Sequence, residues 1–109
     1  MAESNEIVYK ALADSTRRLL LDRLFEADGL TLNELCDQIS MSRQAVSKHL
    51  NLLEEANLVA TRWQGREKLH YLNPIPIQEI TDRWIRKFEK GNVRFLVDLK
   101  THLENETDE

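Results

Sequence analysis

Apolar residues recur at three- and four-residue spacing along most of this chain and switch to alternation only across residues 58–72. Side chains repeat about every 3.6 residues on a helix face and every 2 on a strand face, so the pattern describes helices interrupted by one β-hairpin. That order confines the chain to a mostly α fold with a small β-hairpin.

Residues 6–13, within an N-terminal segment of 1–13, read as a first helix with Ile7, Val8, Ala11 and Leu12 as its apolar stripe. Asp14 is the N-cap expected for a second, which carries Leu19, Leu20, Leu21, Leu24 and Phe25 to a stop at Gly29. Residues 31–40 open with a capping box in which Thr31 and Glu34 each satisfy the other's free backbone donor, and Leu32, Leu35 and Ile39 turn inward. A short turn at Ser40 and Met41 leads into residues 42–56, SRQAVSKHLNLLEEA, so that 31–56 forms a helix-turn-helix. In the hairpin, Leu58, Ala60 and Arg62 share one side, and Leu69 and Tyr71 return after a turn at Gln64 and Gly65. Asn73, Pro74 and Pro76 end it, because proline has no N–H for the ladder.

The helical period then returns over residues 75–103, through Ile77, Ile80, Trp84, Phe88, Phe95, Leu99 and Leu103. One helix of that length spans on the order of 40 Å, against about 34 Å for the width of a globule of this size. Its apolar side, widened by Ile85, Val93 and Leu96, extends past the core, and a second subunit is the simplest cover. Gly91 and Asn92 are weak helix formers where a bend is expected. Residues 104–109 read as an acidic tail.

At 109 residues, 41% hydrophobic and 31% charged, the chain reads as one soluble globular domain over 1–109, with little volume to spare for a catalytic cleft. No apolar run reaches membrane-spanning length, and the start, MAESNEIVYK, lacks the layout of a signal peptide, so a cytoplasmic location is expected. Cys36 is the single cysteine, which excludes an internal disulfide and any site needing several thiolates from one chain. No nucleophile triad or glycine-rich phosphate loop is present, so the chain is not expected to be an enzyme and no cofactor is implied.

Residues 42–56 carry the functional signal. Val46, Leu50 and Leu53, widened by Ala45, Leu52 and Ala56, make an inward stripe, and Arg43, Gln44, Ser47, Lys48 and Asn51 lie opposite. Those outward residues donate to phosphates or pair with base edges in a major groove, and Ser42 is the expected N-cap. The net charge of −4 hides a local excess: residues 41–72 hold five basic residues against three acidic, leaving +2 there and −6 elsewhere. Screening over roughly 8 Å makes the local field the one a docked partner meets. The candidate DNA contacts are Ser42, Arg43, Gln44, Ser47 and Lys48 on the helix, and Arg62, Arg66 and Lys68 on the hairpin, the wing of a winged helix-turn-helix. The partner is double-stranded DNA, and the candidate dimer residues on the long last helix are Trp84, Phe88, Phe95, Leu99 and Leu103. His49 has two readings, a phosphate contact or partial burial beside Leu50. Trp63 also has two, packing on DNA sugars or anchoring the hairpin. Arg17 and Arg18 are read as surface residues or as ion-pair partners of Asp14 or Asp22, the other reading being that one of them reaches the DNA backbone.

The segments ALADSTRRLLLDRL, LTLNELCDQISMSRQAVSKHLNLLEEANLV and RWQGREKLHYLN resemble the ArsR family of winged-helix repressors, from about Asn5 to Leu103. The family often has proline where Ser15 stands. The resemblance implies a homodimer whose first and last helices form the interface, which adds Ile7 and Val8 to the candidate dimer residues, repressing transcription from an inverted-repeat operator. Family members that sense metals through thiolates carry a Cys-x-Cys where this chain has Cys36 alone. Others use Asp-x-His and His-x-x-Glu on the last helix; the positions matching by spacing are Asp82 with Trp84, and Phe95 with Asp98, so aromatic rings replace both imidazoles. Asp98 and His102 remain as an i, i+4 pair, read as a surface hydrogen bond. No metal site is assigned, and the chain resembles a branch without metal sensing. The alternatives are a winged-helix module for protein interaction and a metal-responsive repressor with an atypical site.

Overall fold

The computed structural model describes residues 2–89 and 92–107. Its elements run α1 (Ala2–Leu12), α2 (Ser15–Glu26), α3 (Leu32–Gln38), α4 (Arg43–Glu55), β1 (Val59–Gln64), β2 (Glu67–Leu72), α5 (Ile75–Glu89) and α6 (Asn92–Thr107). This is the mostly helical architecture with one antiparallel hairpin that the spacing predicts. The chain divides into two compact units, residues 1–77 and 78–109, with the boundary inside α5. The reason lies in the core: every buried residue among those described falls between Val8 and His70, so the hydrophobic core closes before the second unit begins.

In the first unit, α2 is capped as expected, the Asp14 carboxylate accepting from the Arg17 N–H at 3.0 Å. Leu20, Leu21 and Leu24 are buried, but Phe25, expected inward, is 77% exposed. It sits roughly 90° from the centre of that leucine stripe, in the last turn, where the core no longer reaches. Arg18 is exposed, as expected, and Arg17 is half-buried beside Asp14, but both guanidinium groups also reach back to α1. Arg17 donates through Nε to the Ala11 carbonyl (2.8 Å) and through its second terminal nitrogen to the Lys10 carbonyl (3.0 Å), and Arg18 donates to the Leu12 carbonyl (2.6 Å). They satisfy the carbonyls that the end of α1 leaves without helical partners.

The capping box of α3 is formed, with the Glu34 N–H on Thr31 Oγ1 (3.2 Å) and the Thr31 N–H on Glu34 Oε1 (3.0 Å). Leu35 and Ile39 are buried and Leu32 is half-buried. Ser42 caps α4, its Oγ accepting from the Ala45 N–H at 3.1 Å, and Val46, Leu50 and Leu53 lie at 0–2% exposure. At the far end Asn57 adopts φ 60°. The Leu58 N–H reaches the Leu53 carbonyl and the Asn57 N–H the Glu54 carbonyl, each at 3.0 Å, which is a Schellman motif closed by two fully buried leucines.

The hairpin pairs Val59 with Leu72, Ala60 with Tyr71, Thr61 with His70, Arg62 with Leu69, Trp63 with Lys68 and Gln64 with Glu67. Gly65 (φ 65°) supplies the positive φ at the first central position of the two-residue turn. The face carrying Val59 and His70 is the buried one; Ala60, which alternation sets on the side of Leu58, is exposed, because Leu58 still belongs to the helix cap and the strand begins one residue later. His70 is held from both sides. Its Nδ1–H donates to the Leu30 carbonyl (2.9 Å), and its carbonyl accepts from the Gly29 N–H (2.9 Å) in a short bridge beside β2.

The second unit contains the rest of α5 and α6. The sequence predicts one helix over 75–103, and the structure describes Ile75–Glu89 and Asn92–Thr107. The bend expected at Gly91, and the side chains of Val93 and Phe95, lie outside the described residues. Helix α6 continues to Thr107, so residues 104–107 of the expected tail are helical, with Lys100 and Glu104 in an i, i+4 ion pair at 4.0 Å. Asp108 and Glu109 lie outside the described residues. On α5, Trp84 and Phe88 stack at 6.1 Å and Lys87 Nζ stands 4.5 Å from the Trp84 ring centre. No described helix is long and apolar enough to cross a membrane.

Candidate nucleic-acid interface

The buried stripe of α4 fixes which residues face out. Ser42, Arg43, Gln44, Lys48 and Asn51 are exposed and Ser47 is half-buried. The first turn of α4 carries no acid, so the positive end of its dipole is left for an anion. Arg43 donates to Asn33 Oδ1 on α3, which holds its guanidinium beside the start of α4.

Helices α3 and α4 and the hairpin enclose a groove of about 290 Å³ whose lining includes Arg43, Ser47, Asn51, Trp63, Arg66 and Lys68. Four of the eight candidate DNA contacts therefore share one concavity, while Ser42, Gln44 and Lys48 occupy the exposed part of α4. Arg62 is set apart. Its cross-strand partner is Leu69, so it lies on the hairpin face opposite Trp63 and Lys68. Lys68 is not free in the groove: its Nζ lies 3.0 Å from Glu54 Oε1, tying the hairpin to the recognition helix. Sequence reasoning missed this pair, although Glu54 was legible as an acid where the helix dipole disfavours one.

His49 resolves toward burial. Its Nδ1 stands 3.2 Å from an Arg17 terminal nitrogen and 3.9 Å from Asp14 Oδ2, so the ring turns toward the start of α2. Since arginine only donates, Nδ1 is the acceptor there. The Asp14 carboxyl is held below its ordinary value, first by the Arg17 backbone N–H; desolvation opposes this and outweighs each of the lesser lowering contributions, which come from the Arg17 guanidinium, the His49 ring and the Thr16 N–H. Trp63, 65% exposed, does not anchor the hairpin.

Of the candidate dimer residues, Ile7 (48%), Trp84 (44%), Phe88 (38%), Leu99 (43%) and Leu103 (54%) are exposed. Val8 is the exception: at 5% exposure it is spent in the chain's own core and offers no surface to a partner. Cys36 is half-buried and free.

A capped helix with a hydrogen-bonding edge, standing beside a basic wing, is built to enter a DNA groove, and it makes this a winged helix-turn-helix DNA-binding protein. Residues 12–62 match the family model described as a helix-turn-helix domain. The HTH-type transcriptional regulator YuzN of Bacillus subtilis (strain 168) is 40% identical over 91 residues, covering 78% of this chain and 99% of that protein. The transcriptional repressor SdpR of the same organism is 29% identical over 85 residues, 78% of this chain and 93% of its own. Among solved structures, an ArsR-like transcriptional regulator from Rhodococcus sp. RHA1 superposes with a TM-score of 0.72 at 30% identity, covering 92% of each chain. The chain belongs to the ArsR family of winged-helix transcriptional regulators.

Proposed function

We propose that the chain represses transcription as a homodimer on an inverted-repeat DNA operator, and that no metal ion controls it. The observation that carries DNA reading is the division of α4, with Val46, Leu50 and Leu53 buried and Ser42, Arg43, Gln44 and Lys48 exposed at its positive end. Repression follows the likeness to SdpR, a transcriptional repressor by its name. Dimerisation is supported by the exposed apolar residues of α5 and α6, and independence from metals by the rings of Trp84 and Phe95 at the positions where related sensors have histidine. The helix residues Ser42, Arg43, Gln44, Ser47 and Lys48 read bases and nearby phosphates, and Arg62, Arg66 and Lys68 hold the backbone.

Selection of duplexes from a random pool by the purified protein, followed by sequencing, tests this reading. The expected product is an inverted repeat with half-site centres roughly 34 Å apart or a multiple of that. Retention of all sequences alike would overturn it. Micromolar zinc, cadmium or copper is expected to leave operator affinity unchanged, and stoichiometric metal binding that releases the DNA would overturn the metal-independent part.

A further inference from the structure

Trp63 is 65% exposed on a strand that has no packing use for it. Its cross-strand partner, Lys68, is engaged by Glu54, and the side chains that bury the hairpin are Val59 and His70, further from the tip. Alternation places Trp63 on the same face as Lys68 and His70, the face turned toward α4, and it lines the groove with Arg43, Ser47 and Arg66. An indole is a large apolar surface, and leaving it in water forgoes the stabilisation that burial brings.

We infer that Trp63 is a DNA-contacting residue, its ring covering deoxyribose on the duplex beside the bases that α4 reads. The inference rests on the DNA-binding reading and adds to it an uncharged contact. The choice of occupant follows from charge. Arg43, Arg66 and Lys68 line the groove with Trp63 against Glu54 and Glu67, and Lys68 is paired with Glu54, so the groove keeps a net positive charge and suits a polyanion with apolar faces between its charges. A second copy of this chain would bring the same cations against them, and a purely apolar partner would desolvate both guanidinium groups without pairing them.

The contact is separable from the phosphate contacts by its salt dependence. Trp63→Ala should lower operator affinity about tenfold with the slope of log affinity against log salt unchanged, whereas Arg66→Ala should flatten that slope by about 1. Trp63→Phe should keep affinity within about threefold, since a smaller ring still covers a sugar. The deciding measurement uses the intact protein labelled with 5-fluorotryptophan, its two resonances assigned with Trp63→Phe. On saturation with the selected operator, the Trp63 resonance should shift and lose its response to exchanging H2O for D2O. If the parent binds operator while that resonance keeps its full solvent response, the inference is wrong and the DNA-binding reading stands. Binding of no duplex at all overturns both. Loss of the solvent response on raising protein concentration without DNA assigns the ring to self-association and overturns the inference alone.

Discussion

Arg43 and Gln44 begin the recognition helix, and they differ in what holds them. Arg43 is tied to Asn33, while Gln44 projects from the same turn with no such anchor among the described residues. Both are expected to discriminate between bases: Arg43→Ala and Gln44→Ala should each lower the operator-to-random ratio by about 1–3 kcal/mol where a bidentate base contact is lost. Equal losses on operator and random DNA, measured by titration at one fixed salt concentration, would remove them from base reading. Asp14 governs a different property. Its folded pKa lies below the ordinary value of 3.8, so its contribution to stability is present above that value and is lost as pH falls through the lowered one. Urea midpoints are therefore expected to decline with acid in the parent, and part of the decline should be absent in Asp14→Asn, which keeps a cap oxygen for the Arg17 N–H but cannot titrate. Parallel curves for the two proteins would show that this carboxyl does not set the acid limb.

At the scale of elements, the ends of α4 show what a sequence discloses. Ser42 and the Thr31 and Glu34 box are legible because a cap is a local event, a side chain meeting an N–H three residues away. The Schellman closure at Asn57 is equally local, though no glycine advertises it. Asn57→Gly should leave stability level or raise it slightly, and Asn57→Ala should cost about 1 kcal/mol, because a Cβ without a polar side chain is disfavoured in the left-handed region. Thermal melts of the two variants decide it; equal midpoints would mean the residue leaves that region without cost. What the sequence hides is non-local. Periodicity names two hairpin faces but not the buried one, which depends on where Leu58 stops being a helix cap. Charge patterning finds Lys68 and Glu54 but not their meeting, since they lie on different elements. The guanidinium groups of Arg17 and Arg18 reach back to carbonyls of α1, a tertiary contact that local ion-pair rules do not anticipate.

The whole molecule poses a question that neither unit answers alone. The first unit has a closed core and a reading helix, and one such helix spans only a single half-site. The second unit contributes no buried residue among those described, and it exposes Trp84, Ile85, Phe88, Leu96, Val97, Leu99 and Leu103. Apolar surface of that extent is what a docked partner would cover, and a two-fold partner is the one that would also hold two recognition helices roughly 34 Å apart. Phe88 is the place to test this, because it is exposed and stacks on Trp84 within its own helix. Phe88→Glu would carry a charge into the proposed interface and should weaken association by on the order of several kcal/mol, the cost of burying it unpaired. Since none of the core from Val8 to His70 involves Phe88, the helix-turn-helix should stay folded by circular dichroism while sedimentation shows monomers. Operator affinity should then fall toward the level for random DNA. A variant that is folded, monomeric and as tight on the operator as the parent would show that one copy suffices, and the two-fold arrangement would have to be abandoned.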